Sequence, residues 1–260
     1  MTRYHLSVYP APKTILSNTY IHPLESLENV TATLDKLVKI KDKRVEILML
    51  LMHNPDAPPE APQEQSKLCI IGAYAFADNV NEAKSMLAPF AKSSLAVKSM
   101  ATMEYQPTSF EKLFAPEQLF NTVGRFAVDN ILTDDPGKAL NAVSDHFRST
   151  PSPINHVLTL YGINLEQRND TCFSSNARNY INCTLIWDEK KDDDLNFQWL
   201  GNAQQLMDPF AKGHYVNEVD ARLNPDRIRR SFSEPNWNRL LQLRQKFDPE
   251  GVFHTYLGHA

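Results

Sequence analysis

Three residues near the end of the chain have side chains and a spacing that could do chemistry. Tyr215 and Asn217 stand two positions apart in His214-Tyr-Val-Asn-Glu-Val-Asp220, and alternate residues of a strand point to the same face. We predict that this segment is a strand from which both side chains point outwards, so that the ring and the amide can face one ligand. Alternatively, they are an aromatic and an amide at a seam between two domains. Glu218 follows directly. Its carboxylate could abstract a proton if burial raised its pKa, or it could be a solvated glutamate without a catalytic role.

Arg178 and Tyr180 form a second candidate pair, at the start of a predicted strand. Their guanidinium and hydroxyl groups could contact an acidic or hydroxylated substrate. Alternatively, the two side chains could simply satisfy each other at the edge of a sheet.

Metal chemistry is not indicated by the histidines or the cysteines. Five histidines show no metal-binding spacing such as His-x-x-x-His, namely His53, His156, His214, His254 and His259. The three cysteines are odd in number and include no Cys-x-x-Cys pair: Cys69, Cys172 and Cys183. We therefore expect surface or core roles for these histidines, buried free thiols for the cysteines, and no metal site.

The composition bounds the class of protein. With 260 residues, 42% hydrophobic and 22% charged, the chain suits one large globular domain or two small ones. A net charge of -4 without a basic run gives no reason to invoke nucleic acid or an anionic membrane surface. No apolar run approaches the ~20 residues that span a bilayer, and Met1–Leu6 shows no signal-peptide core. The compartment is therefore unknown.

Glycine usage argues against a self-contained nucleotide-binding domain. The chain has only 8 glycines, and they form neither a G-x-G-x-x-G pattern nor a Walker loop. Such loops let the backbone approach a pyrophosphate closely. No segment of this sequence offers one.

Hydrophobic periodicity predicts alternating strands and helices. Seven strands are predicted: Thr14–Ile21, Val45–Met52, Lys67–Phe76, Leu95–Met103, Phe126–Leu132, Ile154–Tyr161 and Tyr180–Trp187. Helices are predicted from about Ser26, after Asp78 as cap, from Asp134–Gly137, near Asp192–Asp194, and from Pro235 towards Phe247. Pro89 should kink or end the second helix, because proline lacks the N–H donor.

The order of these elements predicts an α+β fold. Strand pairs separated by single helices favour one mainly antiparallel sheet with helices packed on one face. The other face of such a sheet needs a cover. An uncovered apolar face, with the last helix, would make the chain prone to self-association.

The end of the chain resembles the C-terminus of the berberine-bridge-enzyme-like FAD-linked oxidases. The matching pattern is Tyr215-x-Asn217, then Asn236-Trp-x-Arg-Leu-Leu241, then Lys246-Phe-Asp-Pro-x-x-x-Phe253. Weaker similarities extend the resemblance over nearly the whole chain: Tyr4–Pro10, Leu87–Phe90, Met103–Tyr105, and Asp170–Phe173 followed by Arg178 and Tyr180. Two extra residues precede Arg178, which departs from the family pattern.

The resemblance implies the second half of a flavoenzyme, lacking the N-terminal FAD-binding domain. Residues 1–12 would be the exit strand of that domain, residues 13–212 the substrate-binding domain, and residues 213–260 a segment that returns to the flavin domain. FAD is the implied cofactor, and Tyr215 and Asn217 would face it. Glu218 stands where several members carry a second tyrosine as catalytic base.

Two functions follow from this resemblance. The first is an FAD-linked oxidase or dehydrogenase of a small alcohol, sugar, amine or secondary metabolite, to which this chain contributes the substrate-binding half. A separate chain could supply the flavin domain. The alternative is a truncated or repurposed binding domain that holds no flavin and catalyses nothing, and the missing glycine loops favour it when the chain stands alone.

Overall fold

The computed structural model describes residues 5–6, 8, 10–58, 60–62, 66–114, 124–163, 172–175, 177–220 and 226–253. Parts of the predicted family segments lie outside these residues: Tyr4, Ser7 and Tyr9 of the exit strand, Asp170 and Thr171, and residues 221–225 and 254–260 of the C-terminal segment, which include His254 and His259.

Seven strands form one sheet, as the hydrophobic alternation predicts. They are β1 (Thr14–Pro23), β2 (Val45–His53), β3 (Lys67–Ala77), β4 (Ala101–Thr108), β5 (Arg125–Thr133), β6 (His156–Tyr161) and β7 (Asn179–Trp187). Their order across the sheet is β4-β1-β3-β2-β6-β7-β5. Every neighbouring pair is antiparallel. The predicted α+β fold with a mainly antiparallel sheet is confirmed.

Of the α-helices in the described residues, five lie in connections between strands and three follow β7. They are α1 (Leu27–Ile40), α2 (Val80–Ala91), α3 (Ser94–Val97), α4 (Phe110–Phe114), α5 (Pro136–Arg148), α6 (Asp193–Met207), α7 (Asp226–Arg229) and α8 (Glu234–Phe247). The long helices α1, α2, α5 and α6 contribute to one hydrophobic core with the sheet. We call the sheet face that they cover the helix face.

The burial of alternate residues shows how the sheet separates its two faces. On β2, Ile47, Met49 and Leu51 are buried on the helix face, whereas Leu48 and Leu50 are only half-buried. Leu50 lies opposite Ile70 of β3 and Leu158 of β6, which are also half-buried. We call this side, with its row of aliphatic side chains, the second face.

The second face becomes polar towards β5, the strand at one edge. The row that contains Leu158 continues to Asn182 of β7 and then to Asn130 of β5. The neighbouring row runs from Leu160 to Tyr180 and then to Leu132. One end of this face is therefore an aliphatic surface, and the other carries amide and hydroxyl groups.

The predicted strand over Leu95–Met103 is wrong at its start. Ser93 accepts a hydrogen bond from the Leu95 backbone N–H through its hydroxyl at 3.2 Å, which begins the short helix α3. Leu95 is buried in the core from this helix. The strand begins only at Ala101, where it pairs with Ile21 of β1.

Two details of α2 also differ from the sequence-based prediction. Asn79, rather than Asp78, caps the helix, because its side-chain oxygen accepts from Glu82 N–H at 3.0 Å. The helix also continues through Pro89 to Ala91. Proline here lies in the last turn, where it removes one hydrogen bond and only two helical residues follow it.

The last helix, α8, begins and ends where the sequence predicts. The Ser233 hydroxyl accepts from Asn236 N–H at 3.4 Å, and Pro235 occupies the first turn, where its missing donor costs little. Trp237 packs against Phe232, with ring centroids 5.5 Å apart. No residue of α8 is buried; Trp237, Leu240 and Leu241 on its apolar side are half-buried, and Phe247 at its end is exposed.

Candidate functional site

The candidate residues Tyr215, Asn217 and Glu218 lie in a turn beside the edge strand β5. The chain reaches this edge through a bridge between Leu132 and Gly213. Leu132 N–H donates to the Gly213 carbonyl, and Lys212 N–H donates to the Leu132 carbonyl, both at 2.8 Å. The turn that follows covers the polar part of the second face. We call residues 215–218 the site turn.

The prediction that Tyr215 and Asn217 share a strand is wrong, because residues Val216–Glu218 form a 3-10 turn. The turn closes through Glu218 N–H, which donates to the Tyr215 carbonyl at 3.0 Å. It still brings the two side chains together, since Asn217 Nδ2 donates to the Tyr215 hydroxyl at 2.9 Å. Both residues are exposed, so this amide–phenol pair is available to a ligand.

Glu218 is bound to the sheet through its carboxylate. Glu218 Oε2 accepts from the Tyr180 hydroxyl and from Asn182 Nδ2, the latter at 3.1 Å. Burial, then Glu218 itself, raises the pKa of Tyr180 far above its usual value. Tyr180 therefore stays protonated and acts as a donor. This arrangement holds a half-buried carboxylate in a fixed orientation. Among the described residues, both side-chain bonds of Glu218 go to Oε2 and none goes to Oε1.

Tyr180 also contacts Tyr215. The two rings meet edge to face, with centroids 6.3 Å apart and an interplanar angle of 86°. Tyr180, Tyr215, Asn217 and Glu218 therefore form one cluster, although Tyr180 is 35 or more residues from the others in the sequence. The structure brings together four of the five residues that the sequence suggested.

Arg178 lies outside this cluster. Arg178 is exposed, and its backbone N–H donates to Asp134 Oδ1 at 3.1 Å. The Arg178 carbonyl accepts from Ile163 N–H at 2.8 Å. Tyr180 uses Glu218 as its partner, so Arg178 and Tyr180 do not satisfy each other in the way that the sequence allowed.

Asn182 and Asn130 are members of the site that sequence reasoning missed. Asn182 donates to Glu218, and Asn130 bonds to the main chain of Tyr215 at 2.7 and 2.9 Å. Strand alternation could have predicted Asn182 as a site residue, because it stands two positions after Tyr180 on the same strand and must share its face. Asn130 could not be found this way, since its partner is 85 residues away.

A buried ionic network lies directly beneath the site turn. Asp129 accepts from Arg227 Nη1 at 2.6 Å and from Gln204. His214 donates through Nδ1 to the Asn130 carbonyl at 2.7 Å. Burial, followed by the charge of Arg227, lowers the pKa of His214 to about 4, so the imidazole is neutral. The network ties α7 and the chain before the turn to β5, and its histidine has a core role, as expected.

The described residues hold little that could act as a metal or redox centre. Across the described ranges, no group of three or more His, Cys, Asp or Glu side chains could hold a metal ion. The thiols of Cys69 and Cys183 are buried and that of Cys172 is exposed, and all three are free. None of the described helices has the length and apolar character that a membrane crossing requires.

Comparison with known proteins shows which sequences and structures this chain is similar to. Residues 214–258 match the family model described as "Berberine and berberine like". A curated Bacillus subtilis (strain 168) protein, the uncharacterized FAD-linked oxidoreductase YvdP, is 23% identical over 259 residues, which cover 97% of this chain and 55% of that protein.

Solved structures agree with this match. BBE-like 1 from Physcomitrella patens superposes with a TM-score of 0.72 at 14% identity, covering 97% of this chain and 56% of that one. Berberine bridge enzyme from Eschscholzia californica gives a TM-score of 0.68 at 16% identity, covering 96% and 55%. The chain therefore spans about half the length of the proteins that it matches.

These matches confirm the resemblance seen in the sequence. The chain has the fold of the C-terminal half of the berberine-bridge-enzyme-like FAD-linked oxidases, and the site turn lies within the segment that matches the family model.

Proposed function

We propose that this chain is the substrate-binding half of an FAD-linked oxidoreductase that oxidises a small alcohol, sugar, amine or secondary metabolite. The observation that carries the proposal is the Glu218 carboxylate, which Tyr180 and Asn182 hold beside the aliphatic part of the second face. An oxidation of this kind needs a base for the proton that leaves the substrate. It also needs a flat surface against which planar groups can pack.

The second face fits a flavin ring but not a whole FAD molecule. Leu50, Ile70 and Leu158 give an aliphatic surface for a planar ring, and Tyr215 and Asn217 present polar atoms beside it. The sequence offers no glycine-rich loop for the pyrophosphate. We therefore assign Tyr215 and Asn217 to the ring, and the pyrophosphate to a separate flavin domain.

Each residue of the cluster has a defined task in this scheme. Bound FAD supplies the hydride acceptor. Glu218 accepts the proton from the substrate hydroxyl or amine, and Tyr180 and Asn182 keep its carboxylate oriented. Arg178 lies outside the cluster, so we limit its task to contact with the outer part of a substrate.

The same scheme divides the chain. Residues 13–212 would bind the substrate, residues 213–260 would pack on the flavin domain, and residues 1–12 would lead out of it. The exposed apolar side chains of Phe247, Val252 and Phe253 support such a contact. Without a flavin domain, these side chains and the second face should drive self-association of the chain, which light scattering measures. A monodisperse monomer would count against this division.

Flavin retention distinguishes this function from the alternative, a binding domain without flavin. We expect FAD added to the isolated chain to separate from it on gel filtration. When the chain is fused to the part of the FAD-linked Bacillus subtilis relative that it does not cover, the fusion should elute yellow, and a substrate should bleach the flavin anaerobically. A colourless fusion, or a yellow fusion that no alcohol, sugar or amine reduces, would refute the oxidoreductase.

The role of Glu218 is tested in the same fusion. Glu218→Gln removes the base but keeps a side chain of the same size, so flavin reduction should slow by about 100-fold or more. Glu28→Gln is the matched control, since Glu28 is an exposed residue of α1, which packs on the opposite, helix face of the sheet, and it should leave the rate unchanged. Equal rates in the two variants would remove Glu218 from the mechanism.

A further inference from the structure

Asn130 makes an unusual pair of contacts with the site turn. Its side-chain oxygen accepts from Tyr215 N–H at 2.7 Å, and its side-chain nitrogen donates to the Tyr215 carbonyl at 2.9 Å. One amide side chain thus satisfies both main-chain groups of one residue, as a neighbouring strand would do. The turn is thereby fixed at Tyr215 in position and in direction.

Asn130 is itself held rigidly. It is completely buried, and its main chain belongs to β5, paired with Asn182 of β7. Its carbonyl accepts from His214 Nδ1 at 2.7 Å and from Arg227 Nη2 at 3.2 Å. A residue fixed on several sides can transmit the position of the sheet to the turn.

The geometry continues from Asn130 to the carboxylate. Asn182 lies directly across from Asn130 on the second face and donates to Glu218 Oε2 at 3.1 Å. Tyr215 and Glu218 are the two ends of the same turn, joined by the Glu218 N–H bond to the Tyr215 carbonyl. The two asparagines thus hold opposite ends of the site turn.

We propose that Asn130 is a further positioning residue of this site, and that its hold on the Tyr215 main chain, together with Tyr180 and Asn182, sets the direction of the Glu218 carboxylate. The proposal rests on the proposed function for its catalytic consequence, but its structural part stands without it. Asn130 lies behind the turn and reaches a substrate only through Tyr215 and Glu218. A base displaced by about 1 Å can lose on the order of 100-fold in rate.

Hydrogen exchange on the isolated chain tests the structural part. Asn130→Ala removes both bonds to Tyr215, so amides of the segment 213–219 should exchange about tenfold faster. Asn155→Ala is the matched control: Asn155 is also buried and accepts from Ile186 N–H at 2.8 Å, far from the turn. This control should leave the segment unchanged. Equal exchange of the segment in the two variants would overturn the proposal.

A second variant, Asn130→Asp, keeps the test decisive if the alanine variant does not fold. When ionised, the aspartate has the same shape and still accepts from Tyr215 N–H, but it has no hydrogen to donate to the Tyr215 carbonyl, so exchange is compared at a pH where it is ionised. The exchange rate of the segment should therefore lie between the rates of the wild type and the alanine variant. An aspartate variant that is as protected as the wild type would overturn the two-bond role.

Flavin reduction in the fused protein tests the catalytic part. Asn130→Ala should lower the reduction rate at saturating substrate by at least about tenfold, with little change in substrate affinity. Asn155→Ala should change neither quantity. A loss of affinity alone would overturn the positioning role. If the wild-type fusion shows no reduction with any substrate, the proposed function fails, while the exchange result still decides whether Asn130 holds the turn.

Discussion

Replacing Arg227 by methionine tests the buried ion pair that anchors the C-terminal segment. The Arg227 and Asp129 side chains are 3% and 1% exposed, and Nη1 lies 2.6 Å from Oδ2. Removing one partner of such a pair costs about 3–5 kcal/mol, because the other charge stays buried. For a chain of this size, a loss of that order lowers the melting temperature by roughly 10 °C.

The stability deficit of the Arg227→Met variant relative to the wild type should also depend on pH, because Asp129 titrates. Burial raises the pKa of Asp129 to about 6, and the charge of Arg227 opposes this rise. A group with a raised folded pKa stabilises the fold below its unfolded pKa, and this contribution is lost as the pH rises through the folded pKa. Without Arg227 the pKa of Asp129 rises further. Asp129 can then be protonated at higher pH, so the deficit of the variant shrinks on acidification.

His214 changes the deficit in the same direction. Its pKa is lowered to about 4 by burial and then by Arg227. Such a group stabilises the fold above its unfolded pKa, and this contribution is lost as the pH falls towards the folded pKa. Without Arg227 the pKa of His214 moves back towards its usual value. The variant therefore loses less folding stability on acidification than the wild type does. The deficit should therefore be largest near about pH 8 and smaller near about pH 5.5.

Urea unfolding followed by circular dichroism at the two pH values measures this deficit. Arg148→Met is the matched control, because Arg148 pairs with Glu25 at the surface, and it should cost about 1 kcal/mol or less. The double variant Asp129→Asn/Arg227→Met leaves no stranded charge and should recover much of the loss. If Arg227→Met costs no more than Arg148→Met, or if its deficit grows on acidification, the reasoning is refuted.

Two further predictions concern stability. Ser233→Ala removes the cap of α8 and should lower the free energy of unfolding by about 1 kcal/mol in urea unfolding, whereas Ser233→Asp should retain it; equal losses would exclude the cap. Gly162→Ala should cost about 1–3 kcal/mol, because Gly162 has φ +64° and an added Cβ would lie 2.9 Å from Val38 Cγ1. Its control is Gly201→Ala in α6, where nothing lies within 4 Å of an added Cβ, and thermal unfolding should show a gain there of about 1 kcal/mol.

Local patterns in the sequence were enough for most of the fold. β2 and β3 are short, nearly continuous apolar runs in the sequence, which predicts mostly buried strands. The burial of β2 alternates because one face packs on helices and the other does not. The order of strands and long helices therefore followed from periodicity. Residues 95–103 misled the prediction because a short helix and a following strand together resemble one apolar run. The Ser93 cap marks the start of that helix, and among the described residues no cap of this kind separates the helix from the strand.

The site was predictable only in part, since its contacts are distant in sequence. Tyr180 meets Glu218 across 38 positions, and Asn130 meets Tyr215 across 85. The family resemblance supplied Tyr215, Asn217, Glu218 and Tyr180 but not these partners. The two-residue spacing of Tyr215 and Asn217 suggested a strand where a turn exists, because the spacing of two residues that share a ligand does not reveal the backbone between them.

The polar end of the second face depends on the site turn. Asn130 is fully buried and Asn182 nearly so, and buried amides without partners cost about 1–3 kcal/mol each. The turn supplies partners to both, through the Tyr215 main chain and the Glu218 carboxylate. Beneath it, Arg227 and His214 bind the carbonyl of the same Asn130. The contacts that anchor the C-terminal segment and those that orient the proposed base therefore form one cooperative unit. A substitution of Arg227, which does not contact Glu218, should make the Glu218 carboxylate less firmly held.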